Sequence, residues 1–181
     1  DEMGLGKTMQ AITTIRMLLR CGELSRVLIV CPKPLVTNWV REFGIWAGEI
    51  PLAVIEGNQT RRSWQWQQSL PPVQVANYEL LVRDREILES AGTHFDLVVL
   101  DEAQRIKNYS STTSEVARGI SRGRSWALTG TPIENSLDDL VGIFEFLSPG
   151  YIHSDMTARQ MATRVSDYIL RRTKDMVLAD L

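Results

Sequence analysis

Four residues near the start of the chain have the types and spacing that bind phosphate. In DEMGLGKT, two glycines, Gly4 and Gly6, lead into Lys7 and Thr8. A turn of this kind presents successive backbone N–H groups, here including that of Leu5, to phosphate oxygens. The lysine then reaches the outer phosphates, and the threonine hydroxyl helps to hold Mg²⁺. A helix starting at Lys7 would put its positive dipole end behind the same phosphates. A strict GxxxxGK[ST] pattern would place glycine where Asp1 stands, so the octet departs from it at one position. A phosphate-binding turn is also fed by a buried strand. Nothing in the sequence stands ahead of Asp1 to supply one, and the expectation is that this strand is missing from the chain.

The second candidate is the acidic pair Asp101-Glu102, which directly follows the apolar run Leu97-Val98-Val99-Leu100. A carboxylate set at the end of a rigid strand can hold Mg²⁺ directly or through its waters. Its neighbour can orient or deprotonate an attacking water. Asp101 is read as the metal carboxylate and Glu102 as the water-directing one. The competing reading is an acidic pair that merely caps the next helix.

These groups need a scaffold, and the hydrophobic pattern describes one. Met9, Ile12, Ile15, Leu18 and Leu19 recur at helical intervals from Lys7 to about Cys21. Val27 to Cys31 is a short continuous apolar run closed by Pro32, the mark of a strand buried on both faces. Leu35 to Trp46 returns to helical spacing, and Leu52 to Ile55 and Val73 to Ala76 are shorter strand candidates. Tyr78 to Leu88 reads as one helix. Phe95 to Leu100 is the strongest strand, and Trp126 to Leu128 is a further one. Ser136 opens a helix stopped by Pro149-Gly150, and Thr157 to Ile169 reads as another. The segment Arg61 to Trp66 has no clear period; its tryptophans read as partly buried anchors rather than base-stacking platforms. Strands alternating with helices predict an α/β domain around a mostly parallel central sheet with helices on both faces. In such sheets ligands collect at the carboxyl ends of the strands, where the polar clusters of this chain fall.

Composition narrows the function classes. The chain has 181 residues, enough for one domain with a real core, and a net charge of −2. Any nucleic-acid binding must therefore come from a local basic surface. Cys21 and Cys31 lie in apolar surroundings, which fits a reduced protein better than a disulfide or a metal site. His94 and His153 are the only histidines, so a zinc centre is not expected. No apolar run approaches the roughly twenty residues of a membrane span, and no signal peptide is visible. The expectation is an intracellular protein without a membrane partner.

Five segments in order carry a family resemblance: DEMGLGKT, VLIVCPKPLVTNWVREF, VVLDEAQRIKN, LTGTPIENSLDDL and YILRRTKDMVLADL. Together they resemble the successive motifs of the Swi/Snf-type ATPases of helicase superfamily two. The resemblance covers nearly the whole chain and corresponds to the first of two RecA-like lobes. It accounts for Asp1, since the family commonly carries an acidic residue there. It implies a P-loop NTPase lobe with ATP and Mg²⁺ as cofactors and double-stranded DNA, gripped by its phosphate backbone, as partner. A second RecA-like lobe would complete the engine. The chain is thus expected to be a single ATP-binding lobe over residues 1–181, lacking its N-terminal strand and its second lobe.

The resemblance implies roles residue by residue. Gly4, Leu5, Gly6, Lys7 and Thr8 would bind the triphosphate, with Thr8 and Asp101 on Mg²⁺ and Glu102 on the water. Gln104 stands where many relatives have histidine. A neutral amide can still hydrogen-bond toward the coupling motif but cannot titrate near neutral pH. Pro32 and Lys33 match a motif that lies against the DNA backbone, although Lys33 alone reads equally as a solvated lysine. Asn77 sits where a further backbone-contacting motif falls. Thr129, Gly130 and Thr131 resemble the motif that couples nucleotide state to DNA grip; their hydroxyls could reach the Asp101 cluster across adjacent strand ends, or they form a plain turn. Arg171 and Arg172, with Lys174, would contact phosphate or dock against the second lobe, or they form a solvated helix end.

Three functions stay open at this level. One is the ATP-binding lobe of a duplex-DNA translocase or remodelling ATPase. Another is a strand-separating DNA or RNA helicase. The third is a non-catalytic nucleotide-binding fragment. Superfamily-two enzymes bring arginines from the second lobe to the γ-phosphate, so these 181 residues alone are expected to hydrolyse ATP negligibly. The short interval between Pro149-Gly150 and Leu170, with Ile133-Glu134-Asn135, leans toward a bacterial member acting at the nucleoid rather than a nuclear one.

Overall fold

Residues with no polar side chain on either face belong in the middle of a sheet, and Val27–Cys31 goes there. In the computed structural model, which describes residues 6–130 and 137–171, this segment is β1, and all five of its residues are buried. It is flanked by β3 (Val73–Asn77) and β4 (His94–Leu100), and the sheet is completed by β2 (Leu52–Val54) and β5 (Ser121–Ala127). The order is β2-β3-β1-β4-β5 and every pairing is parallel. All five carboxyl ends therefore lie along one rim.

Because side chains alternate across a strand, the two faces of β1 feed two cores. Val27, Ile29 and Cys31 pack with Leu97 and Val99 beneath α1 (Lys7–Arg20) and α2 (Val36–Trp46), which bury Ile12, Ile15, Trp39 and Phe43. Leu28 and Val30 face the other way, against Tyr78 and Leu81 of α4 (Tyr78–Arg83), Trp66 of α3 (Gln59–Gln67), and Ile143 and Phe146 of α7 (Leu137–Leu147). The result is the three-layer α/β architecture read from the sequence, with helices on both faces.

Several boundaries differ from the sequence reading, for physical reasons. The helix expected from Tyr78 to Leu88 is two, α4 and α5 (Arg85–Ala91), with the buried Asp84 between them. Arg61 to Trp66, which showed no period, lies within α3. Asn58 caps that helix by accepting the Arg61 N–H, and its inner face carries Arg62 and Trp66. The anchor reading holds for Trp66, which is fully buried, but not for Trp64, which is 63% exposed. The last strand starts at Ser121, well before Trp126, because an edge strand tolerates the polar run Ser-Arg-Gly-Arg-Ser. Helix α6 (Thr112–Gly119), capped by Ser111, had no apolar stripe long enough to show in the sequence. The helix expected to run to Ile169 is α8 (Ala158–Val165), opened by a capping box between Thr157 and Gln160.

Two contacts hold β5 and α7 in register with the rest. The Arg122 guanidinium donates to the carbonyls of Ile120, Arg118 and Phe146 and lies over the Phe146 ring. Burial pushes its pKa down to about 10, and the carbonyls at the ends of α6 and α7 offset that cost. At Gly142 a Cβ would stand 2.0 Å from the Lys107 carbonyl oxygen. Only glycine lets α7 sit this close to the segment that follows the acidic pair.

Candidate functional site

Along the carboxyl rim, the order of strands places Asn77 at the end of β3, Pro32-Lys33 after β1, Asp101-Glu102 after β4 and Thr129 after β5. Sequence positions up to about a hundred residues apart thus become neighbours. Gly6 joins them at the head of α1. It is the N-cap, in the left-handed region at φ 74°, and no side chain caps the helix start. That conformation costs glycine little and lets the first turn of α1 open directly at Lys7. Gly4, Leu5 and Thr131 lie outside the described residues, as does Arg172.

Asp101 is the buried centre of this rim, 7% exposed. Its carboxylate accepts two hydrogen bonds, from the Trp39 indole N–H at 2.9 Å and from the Glu102 backbone N–H at 2.9 Å. Tyr78 reaches in from the opposite face and donates its hydroxyl to the Asp101 main-chain carbonyl at 2.6 Å. Burial raises the Asp101 pKa, while the bonds from Trp39 and Glu102 act against it; the Glu102 charge raises it further, and the Lys7 charge lowers it. Burial likewise raises the Tyr78 phenol and pushes the Cys31 thiol up to about 12, each with the Asp101 charge adding to the effect.

Glu102 takes the left-handed conformation, φ 51° and ψ 52°, the one positive φ at a non-glycine residue among those described. Such a conformation is uncommon for glutamate and persists where the surroundings over-determine it. Here they do: the Glu102 N–H is spent on Asp101, and the Ala103 N–H donates to the Leu128 carbonyl on the neighbouring strand end. The turn closes into a short 3₁₀ helix, Ala103–Ile106. It delivers Gln104 as a bridge, whose Nε2 donates to Glu102 at 2.5 Å and whose Oε1 accepts the Thr129 hydroxyl at 2.8 Å. The expected link between strand ends therefore exists, but it runs from Thr129 through Gln104 to Glu102 rather than to Asp101 itself. The capping alternative for the acidic pair does not describe this geometry, since Glu102 caps the 3₁₀ helix with no side-chain hydrogen bond.

The remaining candidates spread along the same rim. Pro32 is buried and precedes a 3₁₀ turn, Lys33–Leu35, on which Lys33 is exposed. Asn77 is 8% exposed and uses its side-chain oxygen to cap α4 by accepting the Leu80 N–H. Gly130 is half-buried just past Thr129, and Arg171 is exposed beyond the end of α8. Sequence reasoning missed Trp39 as a member of the site, because it read as part of an apolar helix stripe, and it read Tyr78 beside Asn77 in a DNA-backbone motif rather than as a partner of Asp101. Their signal was the polar tip, since a buried indole N–H or phenol needs a partner.

Thr8 and Asp101 offer hard oxygen donors, which suit Mg²⁺; that ion takes one or two carboxylates and completes its shell with phosphate oxygens and water. Among the described residues no group of three or more His, Cys, Asp or Glu forms a protein cage for a metal. The donor set thus fits an ion shared with a bound phosphate. Among the described residues no helix is long and apolar enough to cross a membrane.

A parallel sheet with a glycine-led helix and an acidic strand end on one rim is a RecA-like lobe of the P-loop class. The chain belongs to the SNF2-related family, as the first lobe of a Swi/Snf-type ATPase core: the family model "SNF2-related domain" matches residues 1–181. It is similar to the DNA repair and recombination protein RAD54B of Gallus gallus, 38% identical over 89% of this chain and 18% of that protein. An uncharacterized ATP-dependent helicase of Mycoplasma genitalium is 34% identical over 100% of this chain and 19% of that protein. Among solved structures, the Sulfolobus solfataricus SWI2/SNF2 ATPase core in complex with dsDNA matches with a TM-score of 0.86 and 32% identity, covering 96% of this chain and 39% of that one. The chain thus spans about a fifth of the length of these two relatives.

Proposed function

We propose that this chain is the ATP-binding lobe of an ATP-dependent translocase or remodelling ATPase that moves along double-stranded DNA inside the cell. The observation that carries the reading is the buried Asp101 carboxylate at the end of β4, held by the Trp39 indole and the Glu102 N–H on the rim where the glycine-led α1 begins. In this reading Lys7 and the backbone of residues 4–8 hold the triphosphate, while Thr8 and Asp101 hold Mg²⁺. The bound Mg-ATP supplies a phosphoanhydride whose cleavage releases the free energy for movement. Glu102, held by the hydrogen bonds of its turn and by Gln104, orients and deprotonates the attacking water. Thr129 then passes any shift of Glu102 to the end of β5 through the Gln104 amide. Lys33, with Pro32, Asn77, Gly130, Thr131, Arg171 and Arg172 as further candidates, faces the duplex backbone or a second RecA-like lobe. Contacts of this kind are to phosphate, so binding is weakly sequence-specific and weakens steeply with salt.

The likeness to a solved core bound to dsDNA supports the duplex as substrate. The test is ATP hydrolysis by the full-length protein with duplex DNA, single-stranded DNA or RNA. Stimulation by duplex is expected, and Lys7→Ala should abolish it. A preference for single strands or RNA would move the protein to the strand-separating helicases. Turnover surviving Lys7→Ala would remove the phosphate-binding role of the lysine.

A further inference from the structure

Asp101 is oriented by a residue outside the motif that contains it. Its Oδ2 accepts the indole N–H of Trp39, which is fully buried on α2. Its Oδ1 accepts the N–H of Glu102, the neighbouring residue. The two donors approach different oxygens, so together they set the rotation of the carboxylate plane. Each oxygen keeps a further acceptor site. Helix α2 is itself fixed, because Trp39 and Phe43 are sunk in the core it shares with α1 and β1.

We propose that Trp39 is the positioning residue for the metal carboxylate: its indole N–H aims Asp101 so that the carboxylate can take Mg²⁺ on the rim where α1 begins. This inference rests on the reading of Asp101 as a metal-binding group. An indole serves better than a charged donor here, because it fixes the oxygen without neutralising it. A lysine or arginine in its place would compete with the cation for the same charge. Trp39 is fully buried and acts through the Asp101 carboxylate, so its effect falls on ion binding rather than on the chemical step.

The experiment measures equilibrium binding of a fluorescent ATP analogue to the full-length protein, with Mg²⁺ and with EDTA, for wild type and Trp39→Phe. Phenylalanine keeps most of the buried ring and removes only the donor. The metal-free affinity should be unchanged, and the tightening produced by Mg²⁺ should shrink roughly tenfold, the scale of one hydrogen bond to a charged group. In wild type labelled with 5-fluorotryptophan, the ¹⁹F resonance that Trp39→Phe removes should shift on adding Mg-ATP and not on adding ATP in EDTA. An equal loss of affinity in both conditions, or no loss with an unmoved resonance, would overturn the role of Trp39 while leaving the nucleotide site intact. Wild type that binds no nucleotide with or without Mg²⁺ would overturn the nucleotide reading and this inference together. Should Trp39→Phe fail to fold, the wild-type resonance is assigned as the one missing from a Trp39→Tyr protein, and its response to Mg-ATP in wild type decides between the same two outcomes.

Discussion

Two buried aspartates in this chain receive an indole N–H at 2.9 Å, yet they are built for opposite purposes. Asp84 also takes a bidentate pair of bonds from Arg62, both at 2.8 Å, and the two side chains are almost wholly removed from water. Its charge is neutralised on the spot. The Arg62 pKa is raised, chiefly by those bonds. The group pins α3 to the joint between α4 and α5. Asp101 has Trp39 and a backbone N–H instead, and among the described residues no arginine or lysine forms an ion pair with it. Its charge is held by neutral dipoles and by the more distant Lys7. One carboxylate is finished by the fold, and the other is left able to take a cation.

The comparison can be broken most sharply by removing each carboxylate. Asp84→Ala would leave a buried, unpaired guanidinium and should cost about 3–5 kcal/mol in denaturant melts. Asp101→Asn removes a charge that burial disfavours but turns its amide NH₂ toward one of the two N–H donors, so it should cost about 1–3 kcal/mol, less than Asp84→Ala, while Mg²⁺-dependent hydrolysis by the full-length protein is lost. Equal destabilisation of the two variants would erase the distinction.

A smaller effect is expected from Gly142→Ala, which drives a methyl into the Lys107 carbonyl. A loss of about 1–3 kcal/mol follows from overpacking, read as a lower denaturation midpoint.

The rim should also show itself at alkaline pH. The folded chain keeps the Cys31 proton up to about 12, whereas the unfolded chain releases it near about 8.5. The group's contribution is therefore complete below the unfolded value and drains away as pH rises toward the folded one. Tyr78 acts in the same direction. Denaturation midpoints should fall steadily above about pH 9, and Cys31→Ala should flatten that slope.

The smallest expected change is at Glu102. Asparagine adopts the left-handed region more readily, so Glu102→Asn should leave stability equal or higher by up to about 1 kcal/mol while hydrolysis disappears. A clear loss of stability would show that the Gln104 bridge outweighs the backbone strain.

The sequence by itself determined the architecture, because most of its elements were encoded locally. The apolar runs of β1 and β4 could only be buried strands, and the three- and four-residue spacing in α1, α2 and α7 could only be faced helices. Lys7, Asp101 and Glu102 could be picked out as candidates for the same reason: they stand in short motifs at element ends. Where local pattern was weak, the reading failed, as in α3, in α6 and in the polar first half of β5. Tertiary structure alone decided which polar groups meet. No spacing rule joins Trp39 to Asp101, Tyr78 to the Asp101 carbonyl, or Thr129 to Gln104, since each bond crosses the sheet between residues far apart in the chain. Nor could the sequence announce that Glu102 sits at positive φ, because that conformation is imposed by the hydrogen bonds around it rather than preferred by the residue. Position along the chain supplied the parts of the rim; parallel strand order brought them within reach of one another.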